Sequence, residues 1–153
     1  MSDAKKIMEM IKEHDITYVD LRFTDIAGKM QHVTQHIDTI DEDALTEGFM
    51  FDGSSIAGWK AINESDMTLM PDLYRAYVDP FFAQPTLALF CDVLEPSSGE
   101  AYDRDPRGTA KAALAHIESL GIADTAFFGP EAEFFIFEDV KIDVSMNRGL
   151  YSV

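Results

Sequence analysis

The sequence predicts an α+β fold: a small mixed β domain, followed by one helix and one strand of a further unit. Residues 16–23 alternate apolar and polar side chains, which is typical of a half-buried strand. Residues 86–94 are almost continuously apolar, as expected of a central strand covered on both faces. Asp105-Pro106 pairs an N-cap residue with a proline at the first helical position, which predicts the start of a helix.

Local patterns predict the other elements of the first unit. Helical spacing of apolar residues indicates a short helix over Ala4–Glu13. A turn at residues 25–29 would return the chain as the second arm of a hairpin, residues 30–37. Asp41 opens a brief acidic helix, which suits the positive N-terminal end of the helix dipole.

The segment 51–71 has little clean periodicity and predicts a long, apolar-rich functional loop. Residues 74–78 read as a strand, the helix from Asp105 should reach about Leu120, and residues 125–137 should form a further strand. The boundary near residues 96–104 gives two units, 1–103 and 104–153. Because one helix and one strand cannot enclose a core, we expect a chain cut short, with an exposed apolar patch and poor solubility.

Composition bounds the possible partners. The net charge is −16, with a pI near 4.3, which argues against nucleic acid and against anionic membrane surfaces. The single cysteine, Cys91, precludes an internal disulfide and lies in an apolar run that favours burial. No membrane span or signal peptide is recognisable, so a cytoplasmic location is the default expectation.

Two carboxylates interrupt the last apolar segment, Gly129 to Phe137. If this segment is a strand, Glu131 and Glu133 share one face, roughly 6.6 Å apart. Such a pair is self-repelling in apolar surroundings, and a divalent metal bound by oxygen ligands would offset it. A strand end in which both glutamates simply reach water fits the motif equally well.

A set of ordered motifs is more specific than the glutamate pair. Phe51-Asp52-Gly53-Ser54-Ser55 precedes Glu64-Ser65-Asp66 and, further on, Gly129-Pro130-Glu131-Ala132-Glu133-Phe134-Phe135. Between these segments lie Met70-Pro71-Asp72, Asp79-Pro80-Phe81-Phe82, Asp92-Val93-Leu94-Glu95-Pro96 and Tyr102-Asp103-Arg104-Asp105-Pro106-Arg107. From the first strand to Val153, the chain resembles bacterial glutamine synthetase of the type I class.

The resemblance implies a β-grasp-like N-terminal domain and the opening of an α/β catalytic barrel. It also implies an ATP-dependent ligase that joins ammonia to glutamate through γ-glutamyl phosphate. In that family two divalent cations, Mg²⁺ or Mn²⁺, serve the site. By the motif match, Glu131 would serve the nucleotide-side metal and Glu133 the glutamate-side metal.

The resemblance gives the Asp52 loop a different role. It would project into the neighbouring subunit, where Asp52 binds ammonium and takes its proton, with Ser55 supporting the pocket. Gly53 would allow a tight backbone turn beside the aspartate. The alternative for Asp-Gly-Ser-Ser is an Asx turn without catalysis.

Other residues carry weaker expectations. Asp66 would gate the shared site or simply be solvated, and Trp59 would pack under the loop or across a subunit contact. Arg104 and Arg107 are expected in ion pairs rather than on phosphate. The four histidines, none with ligand spacing, are assigned to no metal: His14, His32, His36 and His116.

The resemblance implies glutamate, ammonia and ATP as substrates and a dodecamer when the subunit is full length. The remaining barrel residues would lie beyond Val153, so the chain is expected to be inactive alone. Two alternatives stay open: a related γ-glutamyl-polyamine ligase, and a non-catalytic truncated module that binds full-length subunits. Crowding of a larger amine by Asp52 favours ammonia over a polyamine.

Overall fold

The computed structural model describes residues 3–153. Its helices are α1 (Asp3–Glu13), α2 (Glu42–Glu47) and α3 (Pro106–Ser119). Its strands are β1 (Tyr18–Thr24), β2 (Met30–His36), β3 (Phe49–Asp52), β4 (Asp66–Pro71), β5 (Tyr77–Val78), β6 (Thr86–Leu94), β7 (Lys141–Ser145) and β8 (Arg148–Ser152). Within this part of the chain, no helix is both long and apolar enough to cross a bilayer.

One mixed sheet organises the chain, with strand order β2-β1-β6-β4-β3 and the short β5 added alongside β6. The predicted β1–β2 hairpin is present, and β6 is central as its apolar run indicates. β6 pairs in parallel with β1 and antiparallel with β4. Helices α1 and α2 pack on the same core as the sheet through the buried side chains of Ile7, Ile11 and Leu45. The α+β prediction is therefore confirmed.

Two aspartates start helices as the sequence predicts. The Asp41 carboxylate accepts a hydrogen bond from the Ala44 N–H at 2.7 Å, at the start of α2. Asp105, which is buried, accepts from the Arg107 N–H at 3.0 Å and also from the Val93 N–H of β6 at 3.1 Å. The cap of α3 therefore also ties this helix to the central strand. Among residues 3–153, α3 contributes no buried residue.

The prediction of a strand over residues 125–137 is wrong. The structure has no strand between residues 123 and 137, and every residue there is exposed. A strand needs a neighbour to pair its backbone N–H and C=O groups, and none of the described residues supplies one. The next regular structure is the β7–β8 hairpin, which the sequence pattern did not predict.

Two other segments also differ from expectation. The supposed loop 51–71 contains the end of β3 and all of β4, separated by short 3₁₀ turns. A strand was expected at residues 74–78, but only Tyr77 and Val78 pair with a neighbouring strand. Arg75 is instead part of a turn, in which its N–H donates to the Asp72 carbonyl at 3.2 Å.

The outer face of β1 carries a buried ionic cluster. Asp20 accepts hydrogen bonds from Arg22 at 2.7 Å and from Thr34 at 2.8 Å, and the His32 ring nitrogen lies 2.7 Å away. Arg22 also reaches Asp79 at 2.6 Å. Burial raises the pKa of Asp20, but these hydrogen bonds outweigh it and hold that pKa below its usual value. His32 is therefore part of a hydrogen-bonded structural cluster.

Cys91 lies in β6 and is buried, as the sequence predicts. Burial raises the pKa of its thiol well above the usual value, with the neighbouring Asp92 carboxylate adding to the effect. A thiol with a raised pKa carries little thiolate, so Cys91 is a packing residue of the sheet.

Candidate functional site

Asp52 and Asp66 face each other at the neck of the loop that joins β3 to β4. In β3 the inward side chains are Phe49 and Phe51, so alternation directs Asp52 outward. In β4 Met67 points inward, so Asp66 also points outward. The two aspartates are register partners of the antiparallel pair, and both are exposed.

Two carboxylates directly opposite each other repel, since cross-strand partners are among the closest side-chain neighbours in a sheet. A bound cation would relieve this repulsion. The sequence motifs indicate separate roles for the two aspartates, whereas the structure brings them together on one exposed face.

The loop between them, residues 53–65, is anchored at three points. Gly53, Ile56 and Trp59 are its buried residues, and each is three positions from the next. The Ile56 N–H donates to the Gly53 carbonyl at 3.2 Å, and the Trp59 N–H donates to the Ile56 carbonyl at 3.1 Å. The Gly53 N–H closes the neck on the Ser65 carbonyl at 2.7 Å. This spacing of three residues between anchors is visible in the sequence, but it matches neither the strand period nor the helix period.

Trp59 packs under the loop, within its own chain. Its ring centroid lies 5.2 Å from that of Tyr102, 5.5 Å from Phe23 and 6.3 Å from Phe51. Only 6% of its surface is exposed. Aromatic contacts at these distances each contribute about 0.5–1.5 kcal/mol beyond area burial. Trp59 therefore fixes the loop to the core of the sheet.

Asp52 forms the Asx turn that the sequence offered as an alternative to catalysis. Its Oδ1 accepts from the Ser54 N–H at 2.8 Å and from the Ser54 hydroxyl at 2.6 Å. These bonds lower the pKa of Asp52, with the Ser54 side chain as the largest cause. The carboxylate therefore stays anionic to lower pH than an ordinary aspartate. Ser55 is exposed at the end of this turn. The sequence indicates no role for Ser54, which supplies both donors.

Gly53 is required for a reason other than the one expected. Its φ does not lie in the left-handed region, so no unusual turn needs a glycine. A Cβ at this position would instead lie 2.5 Å from the Met67 sulfur and 2.8 Å from Met67 Cγ. Because the loop lies so close to the buried Met67 side chain, a larger residue at position 53 would fit only if Met67 moved.

Glu131 and Glu133 lie in the exposed segment that forms no strand. The predicted placement of both carboxylates on one face of a strand is therefore wrong. Carboxylate oxygens suit Mg²⁺ or Mn²⁺, but two such residues supply few ligands. Among residues 3–153, no group of three or more His, Cys, Asp or Glu side chains is placed to hold a metal ion. The donor chemistry fits these metals, while the donor number is incomplete.

Arg104 and Arg107, which flank the start of α3, make different contacts. Arg107 forms the expected ion pairs: its Nε lies 2.8 Å from Asp92 Oδ1, and its Nη2 contacts the Asp72 carboxylate. Arg104 forms no such pair with any of residues 3–153. Its guanidinium donates to the backbone carbonyls of Gly58 and Trp59, the second at 3.4 Å. The sequence carries no signal for this contact, because any backbone carbonyl can accept such a hydrogen bond.

Comparison with known protein families identifies the fold. The family model described as the glutamine synthetase β-grasp domain matches residues 15–96. The model described as the glutamine synthetase catalytic domain matches residues 103–153. The first match alone covers more than half of the chain. The chain therefore belongs to the glutamine synthetase family.

Individual relatives agree with the family match. The chain is 64% identical over 151 residues to a glutamine synthetase of Azospirillum brasilense, covering 99% of this chain and 32% of the relative. It is 62% identical over 141 residues to that of Rhizobium meliloti, covering 92% of this chain and 30% of the relative. The chain spans about a third of the length of these curated relatives.

A solved structure supports the fold. The structure of Plasmodium falciparum glutamine synthetase matches with a TM-score of 0.76 at 24% sequence identity. The match covers 99% of this chain and 29% of that chain. At this identity the likeness shows the fold, and it confirms the expected β-grasp sheet.

The contact between Gly53 and Met67 predicts a destabilised Gly53→Ala variant. The added Cβ must displace a buried side chain, which we expect to lower the free energy of unfolding by about 1–3 kcal/mol. Denaturant unfolding followed by the fluorescence of Trp59, the only tryptophan, measures this. Gly129→Ala is the control, because nothing lies within 4 Å of its Cβ position. Equal stability of the two variants would contradict the packing.

The Asx turn predicts a pKa change in Ser54→Ala. Loss of the hydroxyl should raise the pKa of Asp52 towards its usual value, since this hydroxyl is the main cause of the lowering. In the native chain the hydrogen-bonded carboxylate stabilises the loop above its unfolded pKa, and the effect is lost as pH falls through the lower folded pKa. NMR titration of the Asp52 carboxyl carbon measures the shift. Ser55→Ala should leave the titration unchanged, and an equal effect in both variants would contradict this assignment.

Proposed function

We propose that this chain forms part of an enzyme that ligates ammonia to glutamate with ATP. The main support for this proposal is that Asp52 and Asp66 lie on one exposed face, at the neck of a loop anchored by Trp59. Membership of the glutamine synthetase family and relatives of that name at 62–64% identity support the reaction class.

In the proposed reaction, the glutamate side-chain carboxylate attacks the terminal phosphate of ATP. ADP leaves, and γ-glutamyl phosphate forms. Ammonia then attacks the acyl carbon, the new C–N bond replaces the C–O bond to phosphate, and glutamine and phosphate are released. Only neutral ammonia is a nucleophile, so ammonium must first lose a proton.

Asp52 suits the ammonium step for an electrostatic reason. Because hydrogen bonds from Ser54 lower the pKa of Asp52, its carboxylate is anionic under neutral conditions. Asp66 adds a second negative charge across the neck, which favours a small cation over a neutral amine. The lowered pKa makes Asp52 a weak base, so its first role is to bind ammonium. Its second role is to accept a proton from the bound ammonium, which leaves ammonia as the nucleophile. Ser55 borders this face and would limit the space around the cation.

The same proposal assigns Glu131 and Glu133 as two of the ligands for Mg²⁺ or Mn²⁺. When bound, such ions offset the charge of the nucleotide phosphates. The further ligands would come from outside the residues described here. We also propose that Asp52 serves the active site of a neighbouring subunit in a ring-shaped dodecamer, for which the exposure of Asp52, Ser55 and Asp66 leaves room.

The test of this function is Asp52→Asn in an assembled enzyme. The host is the Azospirillum brasilense glutamine synthetase with its matching segment replaced by this chain, since the chain spans about a third of that protein. We expect the variant to lower kcat/KM for ammonium by at least about 10²-fold, the usual scale for a lost acid–base group. Glutamine formation from glutamate, ammonium and ATP measures it.

Asp43→Asn is the matched control, because Asp43 is an exposed aspartate in the first turn of α2. Its activity should stay within about twofold of the parent, because a substitution at an exposed site usually changes stability by no more than about 0.5 kcal/mol. Unchanged ammonium use by Asp52→Asn would contradict the proposal. Faster turnover of the parent with putrescine than with ammonium would favour a polyamine ligase instead.

A further inference from the structure

The loop that carries Asp52 has a second attachment, at the end far from its neck. Residues 58–60 of the loop contact the connector between β6 and α3, residues 95–105. Trp59 packs edge-on against Tyr102, and the Lys60 ammonium lies 5.1 Å from the centre of the same ring. Lys60 also pairs with Glu95. The loop is thus held at two ends by two different parts of the chain.

Arg104 supplies the most directional part of this attachment. Its Nη1 donates to the carbonyl oxygens of Gly58 and Trp59, which would otherwise need water as a donor. Gly58 has a φ of +80°, so the backbone turns sharply at this point. A Cβ on Gly58 would lie 2.9 Å from Ile26 Cδ1 of the β1–β2 turn. The guanidinium therefore holds a turn that is closely packed on its other side.

The connector is itself fixed to the central strand. The Tyr102 N–H donates to the Val93 carbonyl at 2.8 Å, and the Val93 N–H donates to the Asp105 carboxylate at 3.1 Å. Asp105 is 1% exposed, so this junction lies in the interior. Arg104 sits between two anchored residues, Tyr102 and Asp105. Because its own backbone is held on both sides, the Arg104 guanidinium is well suited to hold the neighbouring loop that carries Asp52.

We propose that Arg104 is a positioning residue for Asp52, a role that rests on the function proposed above. The neck bond from Gly53 to Ser65 fixes one end of the loop, and Arg104 prevents the far end from pivoting about it. A carboxylate that binds and orients a reactant tolerates little displacement, and a shift of about 1 Å can cost 10²-fold in rate. Arg104 therefore acts on ammonium through the loop, without contacting it.

The structural test compares Arg104→Met with Arg104→Lys in the 153-residue chain. Methionine keeps an apolar chain of similar length but donates no hydrogen bond, whereas lysine keeps a cationic donor. We expect amide hydrogen exchange at Ile56 and Trp59 to rise about tenfold in Arg104→Met and clearly less in Arg104→Lys. Arg75→Met, at an exposed arginine outside the loop and connector, should leave these amides unchanged. Unchanged exchange in Arg104→Met would overturn the proposal.

The functional test uses the same substitutions in the assembled chimera with the Azospirillum brasilense protein. Arg104→Met should raise KM for ammonium about tenfold while KM for glutamate stays within about twofold, and Arg104→Lys should recover most of the loss. A general loss of folding would instead lower kcat for all substrates together. An equal rise in both KM values would also overturn the positioning role.

Asp52→Asn separates this inference from the function on which it rests. If Asp52→Asn impairs ammonium use and Arg104→Met does not, the positioning role fails and the ligase proposal stands. If Asp52→Asn has no effect on ammonium use, the proposed function fails. A faster loop exchange in Arg104→Met would then show a structural contact alone, and the positioning role would fail with it.

Discussion

The structure depends on the burial of β6 at the centre of the sheet. This strand pairs with β1 on one side and with β4 on the other, and β5 extends its pairing. Leu87, Leu89 and Val93 are fully buried within it. Each such side chain contributes about 1.5–3 kcal/mol by leaving water, so displacement of β6 would open both halves of the sheet at once.

The candidate site follows from the two strands and the connector that adjoin β6. Pairing with β6 fixes β4, and β4 in turn fixes the register that sets Asp66 opposite Asp52. The connector leaves the end of β6, returns to it through Tyr102, and reaches the loop through Arg104. One buried strand therefore determines where an exposed carboxylate pair lies, which is how a rigid scaffold positions functional loops.

Sequence reasoning succeeded where the signal was local. Alternation found the β1–β2 hairpin, the apolar run found β6, and Asp105-Pro106 found the start of α3. It failed for β3 and β4, because both strands are short and the loop between them, anchored at every third residue, matches neither period. It also failed for the Glu131–Glu133 segment, since strand formation needs a pairing partner that the local sequence does not reveal. The Asp52–Asp66 pair was missed because it depends on register between strands.

Backbone ¹⁵N relaxation of the 153-residue chain tests the central claim, that the Asp52 loop is a preorganised part of the sheet. We predict order parameters of about 0.85 for residues 53–66, equal to those of β6. Values below about 0.6 across that loop would show that its contacts with Tyr102, Arg104 and Met67 do not hold it, and would contradict the account.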